Sequence, residues 1–189
     1  MCVLALLVPK AVASPLDLNV RTCVFEALAL AASALTLAGC LQEEEHSSAG
    51  GGRLPNSAID RAIDQLIASG PYLFAVSSVV FGVTHFLVPR FIASLVPASI
   101  PGGLFWAYLT GAGFIAAGIS VATGLMARWG AFWLGIMFQL WFLLLHSPRV
   151  AIHPHLPAEW SSAFIALGLG GGPWICAGHL LETRPRNTK

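Results

Sequence analysis

From Leu104 to Met126 the chain runs for 23 residues without a charged side chain, the length a helix needs to cross the hydrocarbon core of a bilayer. Three further runs, Tyr72 to Val88, Trp129 to Leu145 and Trp160 to Leu181, are almost wholly apolar and are set off by punctuation. Gly70-Pro71 and Pro89-Arg90 bracket the first, Arg128 precedes the second, and His146-Ser147-Pro148-Arg149 follows it. Glu182, Arg184, Arg186 and Lys189 close the last. Backbone polar groups in lipid must be satisfied within their own segment, so such runs become helices. Composition agrees, since 56% of the 189 residues are hydrophobic and 10% charged, where a soluble domain carries about 25% charge. Ten Lys+Arg against nine Asp+Glu leave a net charge of +1, which provides no basic surface for nucleic acid.

The expected fold is all-α: a transmembrane four-helix bundle over residues 70–183, an additional N-terminal hydrophobic helix and a short interfacial amphipathic helix. The second and third spans are joined by only two or three residues, which makes them antiparallel neighbours. Phe91 to Ile100, broken by Pro97 and Pro101, is too short to span and belongs at the interface. Val24 to Leu41 is another apolar run of 18 residues, with Glu26 in its first turn and Gln42-Glu43-Glu44-Glu45 after it. Residues 1–23 read as a leader, 42–69 as a flexible linker followed by the amphipathic helix, and 184–189 as a tail. Within 42–69, Ser57 is placed to cap a helix with Asp60 at its third position, and Ile59, Ala62, Ile63, Leu66 and Ile67 recur at helical spacing. The N-terminal run has two other readings: Leu37-Ala38-Gly39-Cys40 has the form of a lipobox, and Ala11-Val12-Ala13 that of a cleavage site.

Charge sets the orientation. Arg53, Arg61, Arg128, Arg184, Arg186 and Lys189 fall on one side of the bundle and Arg90 and Arg149 on the other, which puts both ends of the core in the cytoplasm. If the N-terminal run spans as well, Lys10 and Arg21 join the minority side. The non-cytoplasmic end then gathers His85, Arg90, Trp106, Tyr108, His146, Arg149 and Glu159.

Around these residues the strings Phe81-Gly82-Val83-Thr84-His85-Phe86-Leu87-Val88-Pro89, Phe105-Trp106-Ala107-Tyr108-Leu109-Thr110-Gly111, Leu144-Leu145-His146-Ser147-Pro148-Arg149 and Glu159-Trp160 with Ala163-Phe164 resemble the DoxX family of small bacterial membrane proteins. The resemblance covers about residues 70 to 181. It implies a four-helix protein of the bacterial cytoplasmic membrane, and some members of that family are subunits of a thiosulfate:quinone oxidoreductase or of other membrane redox assemblies. Residues 1–69 lie outside it.

The candidate ligand-binding residues are His85, Arg90, Trp106, Tyr108, His146, Arg149 and Glu159. Two histidines at matched depth on different helices can hydrogen-bond a quinone or ligate a haem, or simply bond a neighbouring helix. Arg90 and Arg149 can clamp an anion or snorkel to the interface, and Glu159 is placed to pair with Arg149 across the loop. Trp106, Tyr108, Trp141 and Trp160 can stack on a ring ligand, though Trp106, Tyr108 and Trp160 better fit an interfacial aromatic belt, and Gln139, in mid-span, needs a partner such as a backbone carbonyl, Ser78 or Ser120. Gly170-Gly171-Gly172-Pro173 should kink or unwind the last helix. The four cysteines include no CxxC pair, so thiol–disulfide chemistry is not expected. His153-Pro154-His155 is too few ligands for a structural metal. The function these features favour is a membrane component of a quinone-linked redox system, with the bilayer and other redox subunits as partners. A non-enzymatic anchor, assembly factor or partner subunit is the alternative, and a solute transporter working through the Gly170–Pro173 segment is a third.

Overall fold

The computed structural model of the protein describes residues 18–48 and 57–182. The leader before residue 18, residues 49–56 of the linker and the basic tail after residue 182 lie outside the described residues, and with them the proposed cleavage site and much of the charge count behind the orientation. Among the described residues there are helices and no strand.

The helices are α1 (Leu18–Ser48), α2 (Ala58–Ala68), α3 (Gly70–Leu87), α4 (Pro89–Leu95), α5 (Gly103–Thr123), α6 (Ala127–Trp141), a π-helical turn (Phe142–His146), α7 (Ser147–Ile152) and α8 (Pro157–Glu182). Four stretches among the described residues are long and apolar enough to cross a membrane: Val20–Glu45, Ala58–Leu87, Gly103–Thr123 and Ala127–Ile152. Their outward faces carry large exposed apolar side chains, such as Leu109, Ile119, Phe132, Trp133 and Leu140. An apolar surface of that extent is stable only in contact with lipid, and the chain is a multi-pass integral membrane protein.

Going round the bundle, α1 packs on α3, α3 on α5, α5 on α6, α6 on α8, and α8 returns to α1. The expected all-α fold with an additional N-terminal hydrophobic helix stands, and α1 packs on both α3 and α8, which closes the five long helices into a ring. All five supply the core: Ala29 and Ala32 from α1, Phe74 and Phe81 from α3, Phe114 and Ala117 from α5, Leu134 and Phe138 from α6, and Leu169 from α8. The seams are close because glycines allow it. A methyl group added at Gly82 would strike the Gly111 carbonyl across the α3/α5 seam, and one added at Gly172 would strike the Ser33 hydroxyl across the α1/α8 seam.

Several boundaries differ from expectation. The linker is shorter at its start, because α1 continues through the acidic residues to Ser48. The amphipathic helix begins as read, with the Ser57 hydroxyl accepting from the Asp60 amide at 3.0 Å and the Asp60 carboxylate accepting from the Ser57 amide at 3.1 Å. It does not end before the first core span, however: Ser69 is α-helical (φ −76°, ψ −13°) and its carbonyl accepts from the Leu73 amide at 3.0 Å. Pro71, with no N–H, interrupts the hydrogen-bond ladder in the first turn of α3. Finally, α8 runs through Gly170-Gly171-Gly172-Pro173 as one helix, with Pro173 buried inside it. Two of these glycines serve contact instead of flexibility: Gly172 admits Ser33, and Gly170 admits the side-chain amide of Gln139. Of the partners suggested for Gln139, the Ser78 hydroxyl donates to the Phe74 carbonyl at 3.0 Å and the Ser120 hydroxyl to the Leu125 carbonyl at 2.6 Å.

The tight connection between α5 and α6 is as expected, and spans Gly124 to Met126. Gly124 (φ 74°) and Met126 (φ 54°) both adopt the left-handed conformation there, which glycine takes freely and methionine rarely does. Leu37 to Cys40 lies within α1, where Gly39 approaches Ile67 of α2.

Candidate functional site

A cavity of about 430 Å³ opens at the end of the bundle where α3 stops, α6 passes into its π turn and α8 begins. Its walls include Glu26 of α1, His85 of α3, Phe114 of α5, Trp141 of α6, His146 of the π turn, and Arg149 and Glu159 on either side of the following loop. This is within the size range of small-molecule sites.

His85 lies one turn from the end of α3 and is only 4% exposed. Its ring is held between Phe114 and Trp141, each with a centroid distance of 5.3 Å. Nδ1 lies 2.8 Å from the Phe81 carbonyl, and because a carbonyl only accepts, Nδ1 carries the proton. Nε2 is buried and has no hydrogen-bond partner. A buried polar atom left in this condition is uncommon and calls for an explanation.

His146 owes its position to Pro148. With no N–H, Pro148 cannot donate to the Leu144 carbonyl, and its ring crowds the preceding turn. The helix passes the proline by widening into the π turn Phe142–His146, where both the backbone amide and the hydroxyl of Ser147 donate to the Phe142 carbonyl, the hydroxyl at 2.9 Å. Such turns often accompany functional sites. The helix therefore continues to Ile152 instead of ending at His146 as expected, and Nδ1 of His146 is a second buried nitrogen without a partner.

Arg149 and Glu159 form the expected pair across the loop, with two hydrogen bonds of 3.0 Å. The Trp160 indole donates to the Pro154 carbonyl at 2.9 Å and fastens the same loop to the start of α8.

Of the seven candidate residues, His85, His146, Arg149 and Glu159 meet at this cavity. Arg90, at the start of α4, is exposed and is not on its wall. Tyr108 is exposed and lies against Phe86, with ring centroids 5.6 Å apart. Trp106 donates to the Pro101 carbonyl at 3.2 Å and faces a different space, an apolar groove of about 840 Å³ running between α5 and α6. That groove includes Leu109, Gly113, Met137 and Leu140, and shares Trp141 with the cavity.

Sequence reasoning missed Glu26 as a member of the site. The signal is present in the sequence, since a carboxyl group inside an apolar span is costly and points to function. Among the described residues, Glu26 forms no ion pair, and no group of three or more His, Cys, Asp or Glu side chains could hold a metal ion. No family model, curated protein or solved structure matches the chain.

Proposed function

We propose that this membrane protein binds a quinone-type ligand in the cavity lined by His85 and His146 and serves as a membrane component of a redox system, as its resemblance to the DoxX family implies. The observation that carries the proposal is His85, a residue of the cavity wall whose buried Nε2 has no hydrogen-bond partner. It gives a polar ring substituent a partner, while Trp141, only partly buried on the same wall, supplies aromatic surface for the ring itself. The apolar groove behind Trp141 suits a hydrocarbon tail. Arg149 and Glu159 brace the mouth of the cavity.

The test is a reduced-minus-oxidised difference spectrum of the detergent-purified protein, read in the ultraviolet and in the haem region, together with mass spectrometry of the extracted ligand. A stoichiometric quinone that is lost from the folded His85→Ala/His146→Ala variant supports the reading. A flat spectrum with no extractable quinone overturns it in favour of an anchor or assembly factor. Retention of the quinone by the double variant overturns the assignment of the site.

A further inference from the structure

The most deeply buried polar side chain on the wall of this cavity is His85, and its hydrogen bonding bears on the oxidation state of the ligand. His85 has committed its Nδ1 proton to the Phe81 carbonyl, so the neutral ring offers only a lone pair at the buried Nε2. Glu26, reaching the same cavity from α1, adds carboxyl oxygens that form no ion pair among the described residues. At the mouth, the guanidinium of Arg149 gives Nε and Nη2 to Glu159 and keeps further N–H groups, and the wall there also carries the Ser162 hydroxyl, while deeper in the Thr84 hydroxyl donates to the Val80 carbonyl of its own helix at 2.8 Å. His146 takes either role according to its tautomer. Of the side chains on the wall, His85 is the most deeply buried polar one, and there an oxidised quinone would set a carbonyl lone pair against a nitrogen lone pair. A hydroquinone brings a hydroxyl donor instead.

Resting on the quinone reading above, we infer that the site selects the reduced, hydroquinone form of its ligand, with His85 Nε2 accepting one hydroxyl and Glu26 serving as a second acceptor supplied by the N-terminal helix. Unlike the histidines, Glu26 lies outside the region that resembles the DoxX family. The N-terminal helix is thus part of the binding site as well as of the ring.

The experiment uses the full chain in lipid nanodiscs under anaerobic conditions, titrated separately with a decyl-substituted benzoquinone and with its hydroquinone. Binding is followed by quenching of tryptophan fluorescence, and the midpoint potential of the bound couple is measured independently. Hydroquinone should bind at least tenfold more tightly, which for a two-electron couple raises the bound midpoint potential by about 30 mV over the free one. Glu26→Gln should weaken hydroquinone binding severalfold and leave quinone binding unchanged or improved, because the amide adds a donor. Equal affinities, or tighter binding of the quinone, would overturn the inference while leaving the quinone reading intact. Failure of both forms to bind would overturn the two together. An unaltered preference in Glu26→Gln would remove Glu26 from the site, and the potential shift of the unmodified protein tests the preference even if that variant does not fold.

Discussion

Arg149 and Glu159 face each other through two parallel hydrogen bonds, Nε to Oε2 and Nη2 to Oε1, each 3.0 Å long. The pair joins α7 to the first turn of α8, and so holds the loop that follows His146 against the mouth of the cavity. The Arg149 side chain is 44% exposed and that of Glu159 14%, so solvent and salt screen the interaction. A double-mutant cycle on Arg149→Gln and Glu159→Gln should give a coupling of about 0.5–1 kcal/mol. Thermal unfolding of the four proteins at low and high salt measures it, and a coupling insensitive to salt would contradict this account.

At the α3/α5 seam, Gly82→Ala should destabilise the protein by about 1–3 kcal/mol, because the added methyl meets the Gly111 carbonyl and the Ile115 amide nitrogen, and backbone cannot rotate aside. Gly171→Ala, with nothing within 4 Å of the new carbon, should be neutral or slightly stabilising. Thermal midpoints in one detergent compare the two, and equal losses would refute the packing described for this seam.

The α1/α8 seam admits a sharper test. Gly172→Ala places its methyl on the Ser33 side chain, so the single variant should lose stability and the double variant Gly172→Ala/Ser33→Gly should regain part of it. Rescue of this kind demands that the two helices be neighbours. If the double variant is simply the sum of two losses, the ring is not closed in the way described.

Ser57→Ala removes the hydroxyl that accepts from the Asp60 amide. Capping residues of this type contribute about 1 kcal/mol, so hydrogen exchange over the first turn of α2 should quicken by about fivefold while exchange in α5 stays unchanged. Uniform acceleration through the bundle would show that the cap stabilises more than its own helix.

The features legible in one dimension were those set by local chemistry. A charge-free run, a capping Ser three residues before an Asp, a three-residue connection and two opposite charges flanking a loop each constrain their own neighbourhood, and each stands in the structure as the residues indicate. What escaped depends on contacts between segments far apart in the chain. Gly170-Gly171-Gly172-Pro173 has the composition of a helix break, but Gly170 and Gly172 are filled by Gln139 and Ser33 from other helices, and the packing holds the helix continuous. Pro148 signals an interruption, yet the helix steps past it in a wider turn in which the Ser147 amide and hydroxyl both bond the Phe142 carbonyl. Glu26 was visible as an oddity in an apolar run, but only the closure of the ring places it beside His85 and His146.

That closure also bears on the order of assembly. The helix that leaves the ribosome first among the five, α1, finds one of its two neighbours in α8, the helix made last. Chains are synthesised from the N-terminus at about 5–20 residues per second, so the face of α1 bearing Ser33 waits through translation of every intervening helix before Gly172 arrives to cover it. Until then the ring is an open arc, and the wall that Glu26 contributes to the cavity is held from one side only.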